Sequence, residues 1–203
     1  IARKMTQGQP DLTLDAVHGV GEVRTYLNRV LNDLNAWRTG DLAWAEVTSS
    51  AVLYGPPGTG KTTHANAFAG SAGIPIVVKG LLEQINRAKD VEGLVLLGAT
   101  NSLESVDPAV IRSGRFDLKL HLPLPDKKGL EAILTAKLGS ETAIRLDLAN
   151  LAARLLGQSG AVAEAIVRDA LGRAREDRTT IRQNHLESAA DQIVPKLDQE
   201  ILR

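Results

Sequence analysis

The most constraining feature of this sequence is the run Gly55-Pro56-Pro57-Gly58-Thr59-Gly60-Lys61-Thr62, set between a short apolar stretch and an alanine-rich one. Glycines at this spacing, followed by Lys-Thr, make a phosphate-binding loop. With no Cβ in the way, backbone N–H groups turn inward around an anion. Such a loop works only where a strand delivers it and a helix begins on it. Ala51-Val52-Leu53-Tyr54 has the length and character of a buried parallel strand. Lys61 to Ala69 reads as the helix, whose positive dipole end adds to the anion site. Gly55, Pro56, Pro57, Gly58, Thr59 and Gly60 are therefore expected to wrap the phosphates of ATP. Lys61 is expected to neutralise the β- and γ-phosphates, and Thr62 to offer a hydroxyl to Mg²⁺. Thr63 closes the nucleotide-binding run. His64 meets no required role and is expected to pack or to lie on the surface.

Around the loop the chain alternates strand and helix signals, then becomes helical. Val23, Leu27, Val30, Leu31 and Leu34 recur at helical spacing between Gly21 and Arg38. Further strands are expected at Ile74–Val78, Gly93–Thr100 and Leu118–Leu124, with a helix at Leu81–Ala88 between the first two. Beyond them the pattern is helical over Lys128–Leu138, Leu148–Leu155, Gly160–Arg175 and Asn184–Ile193. Residues 1–10 are polar and expected to fray. The reading is an α/β fold, a parallel P-loop NTPase sheet flanked by helices over 1–125, followed by a small all-helical lid over 126–203.

Composition narrows the function classes. The 203 residues carry 24 basic and 24 acidic side chains, so no net field recruits nucleic acid. There is no cysteine, which excludes disulfides and thiolate metal sites. No apolar run reaches the length of a transmembrane helix, and a cytoplasmic location is expected. The chain opens on Ile1 rather than Met, as an excised domain, a processed chain or a fragment does.

The loop with its two prolines resembles that of AAA ATPases, the branch holding the membrane metalloproteases, the katanins and the ubiquitin-selective segregases. A second segment strengthens the resemblance: Gly98-Ala99-Thr100-Asn101, then Val106-Asp107-Pro108-Ala109-Val110-Ile111-Arg112-Ser113-Gly114-Arg115-Phe116-Asp117. The resemblance runs from about Asp15 to about Ile193. It implies that Asn101 is the sensor that orients the attacking water, and that Arg112 and Arg115 are arginine fingers reaching the ATP of a neighbouring subunit. Val17 and His18 resemble the turn that holds adenine, although His18 stands where the family usually has glycine. Gly160 and Ala161 resemble the lid motif beside the ribose and phosphates; Val162 replaces its usual acidic residue. Tyr26, Trp37 and Trp44 are expected to be packing aromatics. The family implies Mg²⁺-dependent ATP hydrolysis coupled to remodelling of a protein substrate in a hexameric ring.

One part is absent. A phosphate-loop ATPase needs an apolar strand ending in an aspartate for Mg²⁺, followed in this family by a glutamate that activates water. The dipeptide Asp-Glu occurs nowhere in the chain. Only 40 positions separate Lys61 from Asn101, too few for two crossovers at about 30 residues each. The expectation is a missing stretch near Gly80 and Leu81, which the resemblance says also holds the central-pore loop. In the implied sheet order, Ile74–Val78 pairs only with the missing strand. Two other readings stay open: an ATP-binding assembly or switch module without hydrolysis, and a small-molecule kinase. The arginine pair and the helical C-terminal unit argue against the kinase.

Overall fold

The computed structural model describes residues 5–7, 11–17, 21–78, 91–106, 116 and 118–194. They form two compact units that divide between Pro123 and Leu124.

In the first unit a parallel three-stranded sheet has the order β4-β2-β5, with β2 at Ser50–Tyr54, β4 at Leu96–Thr100 and β5 at Leu118–His121. The register pairs Tyr54 with both Thr100 and His121, so the carboxyl ends of all three strands lie level. Ser50 to Leu53 are all buried, as a central strand covered on both faces demands. α1 (Gly21–Thr39) buries Val23, Tyr26, Leu27, Val30 and Leu34, the stripe its periodicity predicts. α2 (Lys61–Ala72) adds Ala67, Phe68 and Ala72 to the same core, beside Leu53 and Leu122. Small alanines let α2 lie close to its neighbours, and Gly73 in the left-handed conformation ends it. Tyr26 donates its hydroxyl to the Thr48 carbonyl, and Trp37 meets Trp44 edge-on at 5.0 Å, so these aromatics do pack.

The strand expected at Ile74–Val78 is β3, Ile76–Val78, but it lies outside this sheet. It pairs antiparallel with β1, Met5–Gln7. The expectation of a frayed start is corrected there: an edge strand with unpaired N–H and C=O groups takes the partner within reach. β4 stands at one end of the parallel sheet among the described residues. The strand signal at Leu118–Leu124 also shortens. Leu120 and Leu122 are buried while Leu118 and Leu124 are exposed, and pairing ends at His121 before Pro123.

The second unit is helical: α3 (Lys127–Leu138), α4 (Ser140–Ala143), α5 (Leu148–Arg154), α6 (Gly160–Glu176) and α7 (Gln183–Ile193). Leu130, Leu134, Leu151, Leu155, Ile166 and Leu186 meet in its core. Side-chain caps set two starts: Asp126 accepts from the Gly129 amide at 2.7 Å, and Asp147 from that of Asn150 at 3.0 Å. The structure is thus an α/β sheet with a helical C-terminal part. No described helix is long and apolar enough to cross a membrane.

Candidate nucleotide site

The loop leaves β2 at Tyr54 and enters α2 at Lys61, the strand–loop–helix order that the chemistry requires. Gly55, Gly58 and Gly60 hold φ of 148°, 76° and 90°, a region that disfavours side chains. Gly55 is fixed twice over, because a Cβ there would overlap the backbone carbonyl of Leu122. That contact arises where the chain leaving β5 lies against Tyr54, whose carbonyl accepts from the Leu122 amide at 2.7 Å. Thr59 closes the loop by donating its hydroxyl to the Pro56 carbonyl at 2.9 Å.

Lys61 sits inside this ring of backbone. Its ammonium donates to the Gly55 and Pro56 carbonyls at 2.8 Å each, and only 9% of the residue is exposed. Burial pushes its pKa down from the ordinary lysine value, so the charge is held at a site that disfavours it. An anion bound at the loop would supply the counter-charge that two neutral carbonyls lack. The first turn of α2 has no side-chain cap on its amides, which leaves those donors for a ligand. This cradle fits a nucleotide's phosphates. Thr62 and Thr63 are exposed at the helix start.

For the metal, the fit is partial. Thr62 offers one hydroxyl, and no group of three His, Asp or Glu side chains that could hold an ion occurs among the described residues. The junction near Gly80 and Leu81, where the carboxylate strand is expected to be missing, and the helix expected at Leu81–Ala88 lie outside the described residues.

Asn101 follows β4 directly and is exposed. Because Thr100 pairs with Tyr54, Asn101 leaves the sheet beside Gly55, at the carboxyl edge where open α/β sheets take their ligands. His121 flanks the other side, its ring 5.0 Å from that of Tyr54. Val17 is buried in the core with Leu14, whose amide donates to the Ser71 hydroxyl of α2 at 2.9 Å. His18, Arg112 and Arg115 lie outside the described residues. Gly160 and Ala161 open α6 in the second unit, Gly160 buried and Ala161 exposed.

His64, expected to pack or to lie on the surface, is buried, and it also bonds to the loop, a contact its residue type did not announce. It is 3% exposed, and its Nδ1 lies 2.8 Å from the Gly60 carbonyl. Burial lowers its pKa and so favours a neutral ring, opposed in part by that hydrogen bond, which raises it. Its spacing of four from the last loop glycine, on the Lys61–Phe68 face, was the available signal.

The profile of the ATPase family associated with various cellular activities (AAA) matches residues 51–80 and 76–124. The chain is similar to the ATP-dependent zinc metalloprotease FtsH of Rhodococcus erythropolis, 29% identical over 255 residues that take in 95% of this chain and 30% of the relative. It is similar to the protein of that name from Mycobacterium tuberculosis H37Rv, also at 29%, covering 95% of this chain and 34% of the relative. For the one from Acaryochloris marina the values are 28%, 98% and 40%. The chain thus spans about a third of the length of the curated relatives it matches. A span of 255 aligned positions drawing on 95% of 203 residues leaves about 60 positions without a counterpart here. The profile divides at 76–80, next to the expected gap. Loop, profile and relatives agree in supporting an AAA-family phosphate-loop ATPase that resembles the metalloprotease branch.

Proposed function

We propose that this chain is the nucleotide-binding core of an AAA-type ATPase that couples ATP hydrolysis to remodelling or unfolding of a protein in a hexameric ring. The observation that carries the reading is Lys61, buried among loop carbonyls at the start of an uncapped helix. In this reading Lys61 exchanges the Gly55 and Pro56 carbonyls for the β- and γ-phosphates, which gives its ammonium a full counter-charge. The loop amides and the start of α2 hold the remaining phosphate oxygens. Thr62 would hold Mg²⁺, which neutralises charge on the phosphates when bound. Asn101 orients water at the carboxyl edge of the sheet. Arg112 and Arg115 stabilise the charge on a neighbour's ATP, and Gly160 and Ala161 belong to the lid contact. Val17 and His18 flank adenine through backbone. The relatives are named ATP-dependent proteases, which supports a protein as the substrate class.

The carboxylates that activate water belong, in this reading, to the stretch of about 60 positions found in the relatives and absent here. A second reading rests on that same absence: the chain binds ATP as an assembly switch and does not hydrolyse it. ATP turnover per subunit against protein concentration, together with an intact mass, separates the two. Turnover that rises on assembly, with a mass several kDa above 21.7 kDa, supports the hydrolysing ring. Tight ATP binding with no turnover at 21.7 kDa supports the switch.

A further inference from the structure

We propose that His64 is a positioning residue for the phosphate loop, holding the Gly60–Lys61 peptide so that the Lys61 amide faces the phosphates. The inference rests on the nucleotide reading above. The Gly60 carbonyl accepts twice, from the His64 amide at 2.9 Å and from the His64 ring at Nδ1, 2.8 Å away. A carbonyl only accepts, so Nδ1 carries the proton and Nε2 keeps its lone pair. The peptide is planar, with its N–H opposed to its C=O. Fixing the Gly60 oxygen towards the helix body therefore points the Lys61 N–H out of the helix start, where the anion binds. A second donor on the same oxygen also polarises the peptide and strengthens that N–H.

Gly60 has no side chain to hold its own conformation, at φ 90° and ψ 21°. The ring of His64 supplies that restraint from one turn away. It does so at a cost in stability, because His64 Nε2 is buried with no hydrogen-bond partner among the described residues. An apolar side chain of similar size would avoid that cost. A histidine placed only for packing and one placed to hold the loop thus give opposite results on replacement.

The test compares His64→Leu and His64→Asn with the unaltered protein, by ATP calorimetry and by thermal unfolding without nucleotide. Leu removes both ring nitrogens; Asn keeps an N–H close to the Nδ1 position. His64→Leu is expected to raise the Kd for ATP roughly three- to tenfold, the worth of one hydrogen bond. Its Tm is expected to hold or to rise by about 2–4 °C. His64→Asn is expected to recover most of the affinity. Leu binding ATP as tightly as histidine would overturn the proposal. So would parallel loss of affinity and Tm that Asn leaves uncorrected, since that marks packing alone. If the unaltered protein binds no ATP, the nucleotide reading itself falls, and this inference with it.

Discussion

At the residue scale the loop owes its shape to three glycines and one buried cation. Lys61→Ala removes the charge that is proposed to meet the phosphates and leaves the Gly55 and Pro56 carbonyls without their donor. ATP binding should weaken by about 1.5–3 kcal/mol, the range for charge-assisted hydrogen bonds, read by calorimetry. An unchanged affinity would mean that the loop is not the site. Gly55 answers to packing as well as to conformation. Gly55→Ala places a methyl group against the Leu122 carbonyl and forces φ near 148° on a residue that avoids it. The expected loss is about 2–4 kcal/mol of stability, measured by urea unfolding. A milder loss would show that the chain after β5 yields without cost.

At the element scale, caps and pairing decide where the pieces begin and what they join. Asp126 starts α3 with a side-chain bond to the Gly129 amide. Asp126→Ala should cost about 1 kcal/mol, while Asp126→Asn should be close to neutral, since both natural side chains accept that bond. Equal losses in the two variants would shift the effect from the cap to the charge. The helix starts expected at Lys128 and Leu148 were legible from local apolar spacing and fall at Lys127 and Leu148; the Asp126 cap acts as locally, three positions from Gly129. The helical stripe of α1 was legible for the same reason. The partner of β3 was not. Ile74–Val78 reads as a strand from its apolar run, but pairing with Met5–Gln7 joins segments some 70 positions apart and depends on which edge stands open. Polar residues at the start of the chain carried no sign of it.

At the scale of the whole molecule, the reading as a ring makes catalysis depend on residues supplied across subunits. Arg115→Ala, and Arg112→Ala to a lesser degree, should abolish turnover of the assembled protein while ATP binding stays nearly intact. Mixing Arg115→Ala subunits with Lys61→Ala subunits should restore part of the activity, because one class of mixed interface retains both functional halves. Co-assembly without any recovery would place the arginines' action within one subunit. The level carboxyl ends of β2, β4 and β5 bring Gly55 and Asn101, distant in sequence, to one edge of the sheet, where the proposed site would draw on both.

By itself, the sequence determined the phosphate loop, the order of strand and helix around it and the helical character of the second unit. Each depends on residue types at short fixed spacings: glycines for close backbone approach, a lysine for charge, apolar residues at the period of a helix. Tertiary structure alone decided three things. It placed Lys61 on the Gly55 and Pro56 carbonyls, it made Gly55 obligatory through Leu122, and it buried His64 against Gly60. His64 and Gly60 are close in sequence, but only the packing of α2 against the core removes the ring from water. Once buried, a polar atom must find a partner or remain unsatisfied, and that constraint gives a histidine of no evident role its place beside the loop.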